Sequence, residues 1–205
     1  MLRNFRYLKE REKMPPKSMF TKDEIIDAAL CVIRENGVSA LTARALAAKL
    51  GCSVKPIFGL FKNMDEVQQE VIKAADCLYQ KKMVQEISEK RYPPYKAVGI
   101  SYIRFAKDEK NLFKLLYMRD RSNEEKAEGE ETQKLIELIQ KTTGLDKKTA
   151  YLFHLETWIY IHGIATMIAT DYLDWDMEFV SNSITDCYIG LKYRFIKEGK
   201  INESN

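Results

Sequence analysis

The clearest chemical signal in the sequence is a run of basic side chains between Thr42 and Asn63, where no acidic residue occurs. The run consists of Arg44, Lys49, Lys55 and Lys62. Residues 1–67 hold 12 Lys and Arg against 8 Asp and Glu, whereas the whole chain has a formal net charge of only +3. Because a cationic surface without neighbouring acids attracts phosphates, this stretch predicts contact with nucleic acid.

Few other residues have the types and spacing that catalysis or metal binding needs. The 4 cysteines (Cys31, Cys52, Cys77 and Cys187) are far apart and form no CxxC pair. Their spacing favours reduced thiols over a disulfide or a metal site. The sequence has no nucleophile elbow, glycine-rich phosphate loop or zinc motif. We therefore expect a binding protein rather than an enzyme, with no metal and no cofactor.

Two histidines and a tryptophan in the second half allow two interpretations. Trp158 and His162 are four residues apart and share one helical face. They are either the wall and polar anchor of a ligand cavity, or a core tryptophan and a satisfied core histidine beside Gly163, which would permit close helix approach. His154 is equally ambiguous. Earlier aromatic residues either line a mostly apolar pocket or form plain core: Tyr102, Phe105, Phe113 and Tyr117.

Helical periodicity and its start and stop signals organise the first half of the chain. Thr21-x-x-Glu24 is a capping box for a helix that Gly37 ends. Thr42 and Ser53 are good caps for two short helices joined by a tight glycine turn. In a helix-turn-helix, the second of two such helices enters the major groove, about 12 Å wide, while the first braces against the backbone.

The rest of the chain also indicates helices, and no strand pattern is convincing. A helix is predicted from Asn63 to about Ser88, and Tyr92-Pro93-Pro94 then breaks the chain. Further helices are predicted over about 95–107, 111–118, a segment ending near Gly144, 147–170 and about 177–197. No signal peptide and no apolar run of about 18 residues is present, so we expect a cytoplasmic, all-α protein.

Residues 21–67 resemble the DNA-binding domain of the tetracycline-repressor (TetR) family. The resemblance rests on motifs in register: Ile25-x-x-Ala28-Ala29, Glu35-Asn36-Gly37, Leu41-Thr42, Leu46-Ala47, Leu50-Gly51-Cys52-Ser53 and Ile57-Phe58-x-x-Phe61-Lys62-Asn63-x-Asp65-Glu66-Val67. The rest of the chain resembles the family only in length, helical character and late paired helices. The resemblance implies a transcriptional regulator, expected to be a repressor.

The resemblance also implies roles for individual residues. Thr42 would cap the second helix beside a phosphate, and Arg44 would contact backbone or bases. Ser53 opens the recognition helix, in which Lys55 would face the groove, and Lys62 would hold a phosphate. Phe58 stands where the family usually has tyrosine, and Leu60 where it often has histidine. A contact of Phe58 with a thymine methyl or a sugar is still available.

We predict three segments: a basic extension over 1–19, a three-helix DNA-binding domain over 20–67 and a helical effector-binding and dimerisation domain over 68–205. The extension is either a tail or an arm that follows DNA. The expected partners are an operator duplex, a second copy and a small-molecule effector. Ile184 and Tyr188 are expected at the dimer interface. The alternative is a helical interaction protein that keeps the helix-turn-helix shape without reading DNA specifically.

Overall fold

The computed structural model describes residues 19–122 and 129–200. The predicted 1–19 extension therefore lies almost wholly outside the described residues. The described ranges contain nine α-helices and no strand, which confirms the all-α prediction. They are α1 Lys22–Asn36, α2 Ala43–Lys49, α3 Lys55–Phe58, α4 Met64–Ser88, α5 Pro94–Asp108, α6 Lys110–Tyr117, α7 Glu130–Thr143, α8 Lys147–Ala169 and α9 Met177–Lys197, with a 3₁₀ turn at Val38–Ala40. None of these helices is both long and apolar enough to cross a membrane.

Helix starts follow the predicted caps with one exception. The backbone N–H of Glu24 donates to Thr21 Oγ1 at 3.2 Å, and the N–H of Thr21 donates to the Glu24 carboxylate at 2.7 Å. Ser53 does not cap α3, because the helix begins two residues later and its N-cap, Val54, makes no side-chain hydrogen bond. Pro56 lies in the first turn of α3 and has no N–H, so this helix has one fewer donor to satisfy.

The first three helices pack around a small apolar core. Ile25 of α1, Leu46 of α2 and Ile57 of α3 are fully buried, and Phe61 closes the core from the segment before α4. Each side chain projects from a different element, so none of the three helices can bury its apolar face alone. This core fixes the angle between α2 and α3.

Helix α4 packs against different helices along its two halves. Its first half packs Val67 and Val71 against α1, and its second half packs Tyr79 against α5 and α6. The hydrophobic core therefore continues across the predicted domain boundary after residue 67. Any tilt of α4 moves the contacts of the first three helices as well.

Helices α5 and α8 cross closely at the centre of the larger domain. A Cβ built on Gly99 would lie 2.7 Å from Ile161 Cδ1, closer than ordinary packing allows, so glycine permits this approach. Helices α7, α8 and α9 enclose a second cluster that includes Ile139, Phe153 and Phe195. The larger domain thus has other helices packed on several sides of α5 and α8, and unfilled space remains between these helices.

Candidate functional site

The turn between α2 and α3 has the geometry that a helix-turn-helix requires. Gly51 has φ +66°, and its N–H donates to the Ala48 carbonyl at 3.1 Å. The N–H of Cys52 donates to the Ala47 carbonyl at 3.0 Å, which completes a Schellman motif. Because residues with a Cβ adopt this positive φ only at a cost, Gly51 allows the chain to leave α2 sharply and begin α3 at once.

Helix α3 is anchored by one side chain and presents its others to solvent. Ile57 is fully buried, whereas Phe58 is 44% exposed, an unusual environment for a phenylalanine. Ser53 and Lys55 are also exposed, and so is Val54, an apolar neighbour that the sequence analysis did not single out. Exposed apolar groups beside cations suit a surface that meets base edges and thymine methyls.

Among the described residues, one cation of the basic run is ion-paired and the other three are not. Lys49 Nζ contacts the Glu35 carboxylate of α1 at 2.5 Å, so part of its charge is neutralised. Arg44, Lys55 and Lys62 are exposed and form no ion pair with any other residue that the structure describes. Thr42 caps α2, with Oγ1 accepting from the Ala45 N–H at 3.1 Å. The three exposed cations are available to phosphates.

The larger domain contains a cavity of about 600 Å³ between α4, α5, α6, α7 and α8. Aromatic and aliphatic side chains make most of its wall. The lining residues are Tyr79, Gln80, Met83, Val84, Ile87, Tyr95, Val98, Gly99, Tyr102, Tyr117, Thr132, Lys134, Leu135, His154, Trp158 and Ile161. A volume in this range and a largely apolar wall with a few polar groups are typical of small-molecule sites.

The predicted effector residues are brought together, but not all of them line the cavity. Tyr102, Tyr117 and Trp158 do. Phe105 and Phe113 are fully buried and support the wall from behind, with the Phe113 ring 5.2 Å from that of Tyr102.

Helix α4 contributes a stripe of side chains to this cavity that was not predicted from the sequence. Tyr79, Met83 and Ile87 are four residues apart, so they form one stripe on the helix and all line the cavity. That spacing is visible in the sequence, but it is equally typical of core packing.

Two tyrosine–histidine pairs connect α5 to α8. The Tyr95 hydroxyl lies 3.0 Å from His154 Nδ1, and the Tyr102 hydroxyl lies 2.9 Å from His162 Nδ1. The His162 ring also stacks on Trp158, with ring centroids 4.9 Å apart. A methyl group placed on Gly163, in contrast, would have no neighbour within 4 Å, so the close approach of helices occurs at Gly99 instead.

Burial lowers the pKa of both histidines from the ordinary value of 6.5 and raises the pKa of both tyrosine hydroxyls. The folded protein therefore resists proton uptake by His154 and His162, whereas the unfolded chain accepts it. We expect the free energy of unfolding to be fully retained above pH 6.5 and to decrease as the pH falls below it. Chemical denaturation across this range measures the loss.

A matched variant isolates the imidazoles. The chain has 2 histidines, so His154→Asn with His162→Asn removes every imidazole while leaving an amide near each Nδ1 position. In this double variant the free energy of unfolding should no longer decrease just below pH 6.5. Carboxylates with lowered pKa values, such as Glu24 and Glu66, act only below their ordinary value of 4.5. An unchanged decrease in the double variant would refute the assignment.

A second connection links the first helices to the body. The Arg34 guanidinium of α1 donates twice to the Glu109 carboxylate, at 2.8 and 3.0 Å, and Asn111 Nδ2 donates to the Arg34 carbonyl at 3.0 Å. The Glu109 carboxylate raises the pKa of Arg34. Bidentate pairing of this kind fixes orientation as well as distance. The junction of α5 and α6 is therefore tied to the carboxyl end of α1.

The last two helices expose an apolar face. Its larger members include Leu155, Ile159 and Met167 of α8 and Phe179, Ile189 and Tyr193 of α9. Ile159 and Ile189 are each 58% exposed. An exposed contiguous apolar surface is typical of a protein–protein contact.

Two residues expected at an interface between copies instead pack inside the chain. Ile184 is only 3% exposed, and one of its methyl groups approaches Gly99. The ring of Tyr188 packs against the rings of Tyr95 and Phe153. Helical periodicity placed Ile184 and Tyr188 on an apolar face, but α9 has two such faces and theirs is the inner one.

Comparison with known proteins gives a match to the amino-terminal helices by sequence and to most of the chain by fold. Residues 25–71 match the profile of "bacterial regulatory proteins, tetR family". Among curated proteins, none matches the chain by sequence.

Solved structures share the fold at low sequence identity. A TetR-like transcriptional regulator from Rhodococcus sp. RHA1 is 15% identical with a TM-score of 0.60, covering 86% of this chain and 95% of its own. A TetR-family member from Streptomyces coelicolor A3 is 17% identical, with a TM-score of 0.57 and coverage of 81% and 96%. A single-residue variant of TetR from Acinetobacter baumannii AYE, in complex with minocycline, is 17% identical, with a TM-score of 0.54 and coverage of 87% and 97%.

Proposed function

We propose that the chain is a homodimeric transcriptional repressor, because residues 25–71 match the profile of the tetR family of bacterial regulatory proteins. We propose further that a small molecule in the cavity of the larger domain controls its operator affinity. The observation that carries this proposal is that α4 packs on α1 at one end and lines the cavity at the other. A repressor of this kind would act in the cytoplasm, where bacterial DNA lies.

The DNA-binding surface that we propose consists of Thr42, Arg44, Ser53, Lys55, Phe58 and Lys62. Its support is the exposure of all six residues and the lack of ion pairs at the three cations within the described part of the chain. Lys62 is held near the start of α4, where its backbone N–H donates to the Glu66 carboxylate at 2.7 Å. Its ammonium group is left to meet a phosphate. Lys55 begins α3 and is the cation best placed to reach a base edge.

Salt dependence distinguishes these two roles. We expect Lys62→Ala to weaken specific and nonspecific duplexes about equally and to reduce the slope of log K against log salt by about one unit. Lys55→Ala should instead reduce the preference for the operator over other sequences, since a base-edge contact contributes about 1–3 kcal/mol of discrimination. Fluorescence anisotropy on an operator selected from random duplexes measures both quantities.

The matched control is Lys148→Ala, an exposed lysine in the first turn of α8 and far from α3 in the chain. It should leave the slope and the preference unchanged. If neither Lys55→Ala nor Lys62→Ala differs from the control, the proposed face does not meet DNA. If the wild type shows no salt-dependent binding, the chain is an interaction protein that keeps only the shape of a helix-turn-helix.

The effector site that we propose is the cavity wall formed by Tyr102, Tyr117 and Trp158. Phe105, Phe113 and His162 support that wall from behind. Three of the helices around the cavity are also connected to α1. Helices α4 and α6 pack on α1, and Glu109, which follows α5, binds Arg34 of α1. A ligand that displaces α4 would move the recognition helix relative to a partner copy. A relative with the same fold holds minocycline, which supports a ligand-binding role for a domain of this shape.

The second copy of the chain would cover the exposed apolar face of α8 and α9. Two recognition helices would then meet two half-sites about 34–36 Å apart, as dimeric helix-turn-helix proteins do. A shallow apolar groove on this face is lined by Ile159, Gly163, Met167 and Phe179 together with their neighbours. The small Gly163 lets another helix approach α8 there, which gives this glycine a role between copies rather than within one.

A further inference from the structure

A second cavity, of about 400 Å³, lies beside the proposed effector site. It is enclosed by the start of α5 and by α7, α8 and α9. The lining residues are Pro93, Pro94, Tyr95, Lys96, Leu138, Thr142, Thr157, Ile161, Ile184, Thr185 and Tyr188. Tyr95 and Ile161 line both cavities, so these two side chains form the partition between them.

The wall of this second cavity is more apolar than its residue types suggest. The hydroxyls of Thr142, Thr157 and Thr185 each donate to a carbonyl one turn earlier in their own helix, at 2.9, 2.8 and 3.0 Å. The Tyr95 hydroxyl is paired with His154. The three threonine donors are therefore already used and the Tyr95 hydroxyl has a partner, so a ligand would meet mainly methyl groups, rings and aliphatic chains.

Lys96 is the exception, and it is the one charged side chain in the lining. Its Nζ donates to Thr185 Oγ1 at 2.7 Å and lies 5.1 Å from the centroid of the Tyr92 ring. It is half-buried and forms no ion pair with any side chain that the structure describes. An ammonium group has three donors, and the described contacts use one of them. For the other two donors, the cavity lining offers no carboxylate.

We propose that this second cavity binds an amphipathic monocarboxylate, with its carboxylate on Lys96 and its apolar tail between α7 and α9. Desolvating a charge costs free energy unless a partner of opposite sign offsets it. Lys96 is the one charged residue in an otherwise uncharged lining, so a ligand with one anionic group and an apolar tail satisfies both the ammonium group and the apolar wall. A neutral ligand would leave the Lys96 ammonium group without a partner, and a cationic ligand would be repelled by it.

This site is separate from the proposed effector cavity in both chemistry and position. The one charged residue that lines the effector cavity is Lys134 of α7, whose ammonium group already contacts the Glu130 carboxylate at 2.9 Å. Lys96 has no such partner among the described residues. The proposal depends on neither DNA binding nor dimerisation, so it can be tested on the full-length protein alone.

The test is isothermal titration calorimetry of the full chain with octanoate and octylammonium below their micellar concentrations and with octanol below its solubility limit. We expect octanoate to bind more tightly than octanol or octylammonium, which have a carbon chain of the same length. Lys96→Met keeps the aliphatic stem and removes the charge, and it should weaken octanoate roughly 10- to 100-fold while leaving octanol unchanged. Lys96→Arg should restore most of the octanoate affinity, which separates loss of the charge from loss of the fold.

The matched control is Lys134→Met at the rim of the effector cavity, which should bind octanoate like the wild type. If Lys134→Met weakened octanoate binding as much as Lys96→Met, the assignment to the second cavity would be overturned. Octanol or octylammonium binding as tightly as octanoate would overturn the role of the carboxylate. Unchanged octanoate affinity in Lys96→Met, or no octanoate binding to the wild type, would overturn the proposal outright.

Discussion

Replacing Ile189 with arginine is expected to leave a folded monomer that no longer binds its operator tightly. Ile189 is 58% exposed on α9 and contributes to the apolar face that a second copy would cover. In the monomer an arginine there is solvated and costs little. At an interface between two copies, each copy would bury one such arginine, close to its symmetry mate and without a partner of opposite charge.

The expected loss of operator affinity is large because the second half-site contact is intramolecular. Linking two binding modules commonly raises overall affinity by about 10²–10⁴-fold, and a monomer forgoes that gain. Analytical ultracentrifugation at micromolar concentration measures the oligomeric state, and anisotropy on the operator measures the affinity. Circular dichroism should show unchanged helicity.

Two control variants define the interface. Val84→Arg places the same charge at a 62% exposed apolar residue of α4, outside the exposed apolar face of α8 and α9, and should remain dimeric. Ile184→Arg places it at a residue that is 3% exposed within the protomer, and should unfold the chain rather than split a dimer. A dimer that survives Ile189→Arg would show that the copies meet elsewhere. A wild type that is monomeric would contradict dimerisation altogether.

Filling the mouth of the effector cavity is expected to uncouple the ligand from the operator. Val84 lines the cavity from α4 but is 62% exposed, so Val84→Trp can add volume at the entrance without disrupting the buried core. A thermal-shift screen of neutral aromatic compounds identifies a ligand, since binding to the folded state alone raises its stability. In the wild type that ligand should change operator affinity by roughly 5- to 150-fold, a typical coupling.

In Val84→Trp this coupling should disappear, while operator affinity without ligand stays close to that of the wild type. Lys81→Trp is the matched control, because Lys81 is exposed on the same helix but does not line the cavity. The coupling must also be reciprocal, so DNA should change ligand affinity by the same factor. A ligand that binds in the wild-type cavity and leaves operator affinity unchanged would refute the sensor mechanism and leave DNA binding intact.

The sequence determined the local part of this protein. Helix starts at Thr21 and Asn63, the Gly51 turn and the limits of α9 follow from capping groups and periodicity that act over a few residues. The motifs around that turn also predicted the similarity to the tetR family, whose profile matches residues 25–71. One local detail was wrong: Ser53 does not cap α3, because the helix begins at Lys55 and its N-cap is Val54.

The tertiary structure decided which apolar faces meet, because periodicity gives the face of a helix but not the neighbour that covers it. It placed Ile184 inside the protomer and left Ile189, on the same helix, in solvent. It put α4 in the cavity wall beside Tyr102, with Phe105 behind. It also set Lys96 beside Thr185, 89 residues later in the chain, and no local pattern encodes a contact over that separation.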